Sequence, residues 1–294
     1  MRLLNAEFMT LESFNSKSDR PSYAILSHTW NENELIFEDL YTDDFTNLPG
    51  FSKVKQSCEQ ALRDGHSHIW IDTCCIDKRS SSELSEAINS MFQWYGEALE
   101  CFAFLQDVYD YSDIEEFKWC PENYILTSTQ LQKLKNSQFA KSRYWTRGWT
   151  LPEVIAPNSV VFYDHNFQRI GSRDELRRVV SVITGINENM FWEHVKLEEF
   201  SIATRMSWAS NRETTRLEDM AYSLLGIFGI HMPMLYGEGK QAFVRLQEEI
   251  IKNSRDHSIF AWEGEVYSSN SNGFLFAQSP SAFRHSDNVI SLQH

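Results

Sequence analysis

Glu153 stands four residues after Trp149 in the run Ser142-Arg143-Tyr144-Trp145-Thr146-Arg147-Gly148-Trp149-Thr150-Leu151-Pro152-Glu153-Val154. Arginines and indoles crowd one carboxylate at the start of a helical segment, and a Val-Val-Phe-Tyr strand follows. Two roles are open to such a residue. In one, Thr150 is an N-cap and Glu153 occupies N3, so the carboxylate reaches back to the cap amide in a capping box. In the other, the carboxylate faces a cleft and its aromatic neighbours sandwich a flat ligand. The spacing alone is compatible with both.

Other side chains compete for a chemical role. Ser27 and His28 end the apolar run that starts at Tyr23, and His28 reads equally as a substrate contact or a hydrogen-bonding turn residue. Asp72 ends the run His68-Ile69-Trp70-Ile71-Asp72 and is read as a site or site-supporting carboxylate. Glu83 completes a capping box with Ser80, and Glu86 belongs to a solvated face. Cys74 and Cys75 have no histidine close in sequence and read as small buried groups rather than nucleophiles. Gly237-Glu238-Gly239-Lys240 lacks the full spacing of a phosphate-binding loop and reads as a turn. Most aromatic residues are assigned to the core, with Trp30, Trp145 and Trp149 placed near a cleft.

Elements that position these groups follow from the apolar pattern. Short strands are predicted at 23–27, 68–72, 101–105 and 159–163. Helices are predicted over 54–62, ending near Gly65, and over 82–98, with Leu84, Ile88, Met91 and Tyr95 on one face. A long polar insertion runs from about 107 to 142. Strands alternating with helices imply a parallel sheet covered on both faces, with its ligand crevice outside the carboxyl ends of the strands. Ser27 to Trp30, Asp72 to Asp77 and the loop before Trp149 all converge there. From Ser172 onward the pattern is mainly helical: capping boxes at Ser172/Glu175 and Thr215/Glu218, helices over 200–208 and 215–228, and an amphipathic helix over 242–251. The stretch Ser268 to Asn272 reads as a loop.

The 294 residues are 42% hydrophobic and carry a net charge of −14, which describes a globular chain and argues against a broad nucleic-acid or anionic-membrane surface. Five cysteines without a Cys-x-x-Cys pair suit neither a disulfide framework nor a structural zinc site. No apolar run is long enough for a signal peptide or a membrane span, so a soluble, cytoplasmic protein is the expectation.

Taken in order, Tyr23–Trp30, Trp70–Lys78 and Arg147–Glu153 resemble the HET domain, the heterokaryon-incompatibility module of filamentous fungi. Arg205–Ala209, Glu218–Gly226 and Leu235–Gly239 are similar to its later segments, so the resemblance covers nearly the whole chain. Pro152 stands where the family usually has Gln, a change that a helix's first turn accepts. The resemblance implies a role in programmed cell death after fusion of genetically different hyphae. It also implies a distant likeness to TIR domains, hence a flavodoxin-like α/β fold in which Trp149 and Glu153 match the Trp and Glu of the Trp-Cys-x-x-Glu-Leu element. On that basis residues 1–170 form a TIR-like parallel sheet flanked by helices, interrupted by the 107–142 insertion, and residues 171–294 form a mainly helical extension packed on it.

Enzymatic TIR domains cleave NAD+ at the nicotinamide–ribose bond with that glutamate. Breaking this bond builds positive charge on the ribose, which a nearby carboxylate stabilises. The resemblance therefore implies Glu153 as the catalytic residue, with Ser27, His28, Trp30, Asp72, Cys74, Arg147 and Trp149 around the substrate. NAD+ is then a substrate, and neither a cofactor nor a metal is expected. Self-association on activation, and a NOD-like receptor or other signalling partner, follow from the same resemblance. The rival reading is a non-enzymatic death-signalling module that acts by oligomeric assembly. A weaker alternative is transfer or cyclisation chemistry on another nucleotide.

Overall fold

The computed structural model describes residues 1–121, 124–192, 194–264 and 275–290. Its centre is one sheet, with strands β1 (Arg2–Asn5), β2 (Leu11–Ser13), β3 (Ala24–His28), β4 (His68–Trp70), β5 (Glu100–Phe104), β6 (Val160–Tyr163) and β7 (Arg169–Ser172) in the order β2-β1-β4-β3-β5-β6-β7. The four strands expected from apolar runs are β3 to β6, and they pair in parallel. Every residue of β3, β4 and β6 is buried, as strands covered on both faces require. Taken alone, these four run second, first, third, fourth, the start of the flavodoxin-like order. The order reverses between β3 and β5, so the carboxyl end of β3 lies at the switch point where such sheets place a ligand.

Strands β1, β2 and β7 are antiparallel additions at the two edges and were not expected from the sequence. Helix α1 (Phe51–Arg63) follows β3 and buries Lys53, Val54, Ser57, Cys58 and Ala61. Asp72 does not end a strand. It opens a four-residue helix, α2 (Asp72–Cys75), because β4 stops at Trp70. Helix α3 (Ser81–Glu97) is capped by Ser80, whose hydroxyl accepts the Glu83 amide at 3.3 Å. The Glu83 carboxylate takes the Asp77 amide at 2.9 Å and the Arg2 guanidinium, so that box is only half formed. The insertion contributes α4 (Ser128–Asn136) and α5 (Gln138–Lys141), and α6 (Thr150–Ile155) leads into β6.

Beyond β7 lie α7 (Arg177–Thr184), α8 (Ile202–Ser207), α9 (Asp219–Tyr222), α10 (Leu225–Phe228) and α11 (Gln241–Asn253). Ser172 and Glu175 exchange amide bonds at 3.1 and 3.3 Å as expected, although α7 begins only at Arg177. The predicted 215–228 helix is two short helices instead. Glu218 does not cap with Thr215; its carboxylate accepts the amides of Gly237 at 2.8 Å and Gly239 at 2.9 Å, folding the later turn back onto α9. Helix α10 lies so close to α3 that a Cβ on Gly226 would meet Phe92 Cβ at 2.0 Å. Among the described residues no helix is long and apolar enough to cross a membrane. The loop expected at Ser268–Asn272 lies outside the described residues.

Candidate functional site

Ser27 and His28 are consecutive on β3, so their side chains leave opposite faces of the sheet. On the Ser27 side sits α6. All six of its residues are buried, as expected of a helix that is apolar nearly all round. No side chain caps it: Trp149 is the N-cap residue and makes no cap bond, and the Thr150 hydroxyl turns back to the carbonyls of Tyr144 and Arg147. The Thr150/Glu153 capping box is therefore absent. The Glu153 carboxylate accepts the Ser27 hydroxyl instead, and Ser27 Oγ lies 2.6 Å from the Tyr144 hydroxyl.

Burial pushes the Glu153 carboxyl well above the usual range, against the pull of the Ser27 hydrogen bond, and the Asp72 charge adds to the rise. Tyr95, Tyr144 and Cys101 around it are also pushed up by burial. Arg212, from the helical half, donates to the Arg147 carbonyl and to Thr150 Oγ1, both at 2.8 Å. Burial brings this guanidinium down to about 10, while Tyr144 and Glu153 pull it up. The arrangement is a buried polar network around a carboxyl whose ionisation burial opposes, and Arg212 Nη2 within it has no hydrogen-bond partner among the described residues.

The His28 side is charged. His28 Nε2 is 3.0 Å from Asp72 Oδ1, and Lys53 Nζ is 2.9 Å from His28 Nδ1. An ammonium has only donors, so Nδ1 accepts and Nε2 carries the proton towards Asp72. Behind Lys53 stands Glu34 in an ion pair, and Glu34 Oε1 also accepts the Asn31 amide at 2.8 Å. Lys78 Nζ approaches Asp72 Oδ2 at 3.8 Å and lies 3.4 Å from the centre of the Trp30 ring. Burial alone would raise the Asp72 carboxyl, but Lys78, the His28 hydrogen bond and Lys53 outweigh it and bring it down to about 2. Burial lowers both lysines, with Glu34 and Asp72 acting in the opposite sense.

The remaining expected residues are distributed unevenly. Trp30 is 44% exposed at the carboxyl end of β3. Cys74, expected beside substrate, is fully enclosed; its thiol faces the Leu35 carbonyl at 3.5 Å and burial pushes it up. Trp145 is a core residue rather than a cleft wall: its indole donates to the Phe139 carbonyl at 2.6 Å and packs on Phe139, Tyr144 and Phe162. Trp149 is half-buried and faces Asp219, whose carboxyl also accepts the Tyr236 hydroxyl at 2.9 Å. Arg147 reaches Thr215 Oγ1 at 3.2 Å. Gly148 permits this junction, because a Cβ there would stand 2.5 Å from Thr214 Cγ2. Cavities of about 440, 540 and 590 Å³ open elsewhere, by Trp94, Trp192 and Tyr163 respectively.

Sequence reading missed Glu34, Lys53, Lys78, Tyr144 and Arg212. One of them had a signal: Lys53 shares the α1 stripe of Val54, Ser57, Cys58 and Ala61, where a lysine needs a buried partner. Glu153 had one too, since a carboxylate inside Leu151-Pro152-Glu153-Val154-Ile155 has little solvent to reach.

Comparison with known proteins covers much of this framework. Residues 23–153, from the residue before β3 to Glu153 itself, match the family described as heterokaryon incompatibility protein (HET). Residues 241–291 match a domain of unknown function (DUF8212). The chain is similar to the vegetative incompatibility protein HET-E-1 of Podospora anserina, with 44% identity over 240 residues; the match covers 79% of this chain and 16% of that protein. This chain thus spans a small part of that curated relative. No solved structure matches.

Proposed function

The chain belongs to the heterokaryon-incompatibility (HET) family, and from that premise we propose that it is a cell-death effector domain of nonself recognition that hydrolyses NAD+ with Glu153. The observation that carries this reading is the meeting of Glu153 with Ser27 at the switch point of the sheet. In the reaction the bond from ribose C1′ to the nicotinamide nitrogen breaks, and its electron pair leaves with neutral nicotinamide. A water oxygen then bonds C1′ and loses its proton to solvent. An ionised Glu153 stabilises the positive charge on the ribose in between.

The described state is a resting one under this reading, since burial opposes ionisation of the Glu153 carboxyl. Entry of substrate and water, driven by self-association that reorders the loops after β3 and β5, ionises it. Nicotinamide release by purified wild-type protein and by Glu153→Gln tests the assignment. Undiminished turnover by a folded Glu153→Gln protein would sink it.

One observation favours the rival reading, in which the domain signals death by assembly alone. Glu153 already has a buried hydrogen-bond partner in Ser27, which is how a purely structural buried acid is accommodated. Toxicity in cells that survives Glu153→Gln, with no nicotinamide released by either protein, would select that reading.

A further inference from the structure

We propose that the face of Trp30 now occupied by Lys78 is a binding site for a planar organic cation, with Lys78 as its built-in competitor. Identifying that cation with the pyridinium ring of NAD+ rests on the reading above; the site itself rests on geometry alone.

Trp30 exposes 44% of its surface directly beyond β3, beside the switch point. The Lys78 ammonium lies 3.4 Å from the ring centre and 3.8 Å from Asp72 Oδ2, so one position offers both an aromatic face and a carboxylate. Those are the two attractions a desolvated cation needs, and a neutral ring would gain only stacking there. Lys78 reaches the position on a flexible four-carbon stem and its side chain keeps 31% exposure, so it has room to leave.

The rest of the site is anchored without it. His28 holds Asp72 at 3.0 Å, Lys53 backs His28 at 2.9 Å, and Glu34 pairs with Lys53 while accepting the Asn31 amide. Asn31 follows Trp30 in the chain, so ring and carboxylate belong to one closed circuit of contacts. Departure of Lys78 opens the ring face and leaves Asp72 held by His28. The ammonium and an incoming cation exclude each other by both volume and charge.

Calorimetric titration with 1-methylnicotinamide, a planar cation, and with nicotinamide, its neutral counterpart, tests this directly. The cation should bind about tenfold more tightly than the neutral ring, and Trp30→Ala or Asp72→Asn should weaken the cation by about tenfold. Lys78→Met, which keeps the length and removes the charge, should tighten it about threefold. Equal binding of the two probes, or weaker cation binding by Lys78→Met, would overturn the proposal. If Asp72→Asn does not fold, the exposed Trp30 and the half-buried Lys78 still decide it. NAD+ turnover in the same proteins separates the two ideas. Selective cation binding with no turnover, even in protein concentrated enough to self-associate, sustains the site and overturns the hydrolase reading. Turnover with wild-type KM in both Trp30→Ala and Lys78→Met overturns the identification of the cation with the pyridinium ring of NAD+ and leaves the hydrolase reading standing.

Discussion

The two faces of the sheet at the end of β3 handle a buried carboxyl in opposite ways. On the Ser27 face, Glu153 is enclosed among tyrosines and apolar residues, and burial pushes its carboxyl well above the usual range. On the His28 face, Asp72 is ringed by Lys78, His28 and Lys53 and stays ionised. Burial opposes ionisation on both faces, so the difference lies in the partners. Arg212 beside the first face donates through Nη1 to the Arg147 carbonyl and Thr150 rather than to the carboxyl, and its buried Nη2 has no partner among the described residues. The second face sets Lys78 and His28 directly against Asp72, with Lys53 behind His28 shared with Glu34. Ionisation is thus favoured at Asp72 and opposed at Glu153.

The sharpest break of this contrast is Glu153→Gln. If Glu153 acts once ionised, turnover should fall about 10²–10³-fold, as for loss of other transition-state charge stabilisers. Stability should respond with the opposite sign. The folded acid keeps a proton that the unfolded chain gives up above about pH 4.3. Its favourable contribution is therefore complete below that pH and fades as pH rises through the raised folded value. Glutamine has no such loss, so urea midpoints of the variant should gain on wild type between acid and mildly alkaline pH. Parallel midpoint curves for the two proteins would show that Glu153 is not held neutral.

Removing the partner rather than the acid should cost less. Ser27→Ala leaves the Glu153 carboxyl and the Tyr144 hydroxyl without their shared hydrogen-bond partner in a closed site. Equilibrium denaturation should report a loss of about 1–3 kcal/mol. A loss near zero would mean that the Glu153 side of the sheet is wetter than its geometry implies.

The His28 face should show the reverse pH response. Asp72 is held at about 2, below its unfolded value, so its contribution is present above about pH 4 and is lost as pH falls through 2. The shift corresponds to a contribution on the order of 2 kcal/mol at neutral pH. Asp72→Asn should be less stable than wild type near neutrality and converge with it in acid. If the gap between the two proteins stays constant down to the acid limit, the carboxylate is not what the surrounding cations stabilise.

How much of this was legible in the sequence depended on range. Strands β3 to β6 were readable because central parallel strands are continuous apolar runs, and α1 and α3 because their apolar spacing is helical. Strands β1, β2 and β7 have three or four residues each and draw their stability from pairing at the sheet edges, a long-range effect. Ser27, His28 and Asp72 could be placed at the crevice by topology alone. The choice between a cap and a buried role for Glu153 turned on Ser27, distant in sequence but adjacent in space. Local spacing was compatible with a capping box there, and tertiary packing ruled it out. Arg212 was invisible for the same reason, since it reaches Thr150 only when the helical half closes over α6, and Tyr144 because its partner Ser27 is distant in sequence.

The smallest effect expected is on the stability of Trp30→Ala, and it bears on whether the charged face depends on its rim. Trp30 is substantially exposed, so truncation removes little buried area, and the cation–π contact it makes with Lys78 is of the exposed kind, worth about 0.5–1 kcal/mol. The main-chain route from Asn31 through Glu34 to Lys53 survives the change because it uses the Asn31 amide rather than the indole. Asp72 then keeps His28 and Lys53 and remains ionised. Thermal unfolding should show a loss of no more than about 1 kcal/mol, with the acid profile of wild type retained. A larger loss, or an acid profile that moves towards that of Asp72→Asn, would show that the indole holds Lys78 in place for the sake of the carboxylate. The contrast between the two faces would then rest on an exposed ring rather than on the buried circuit behind it.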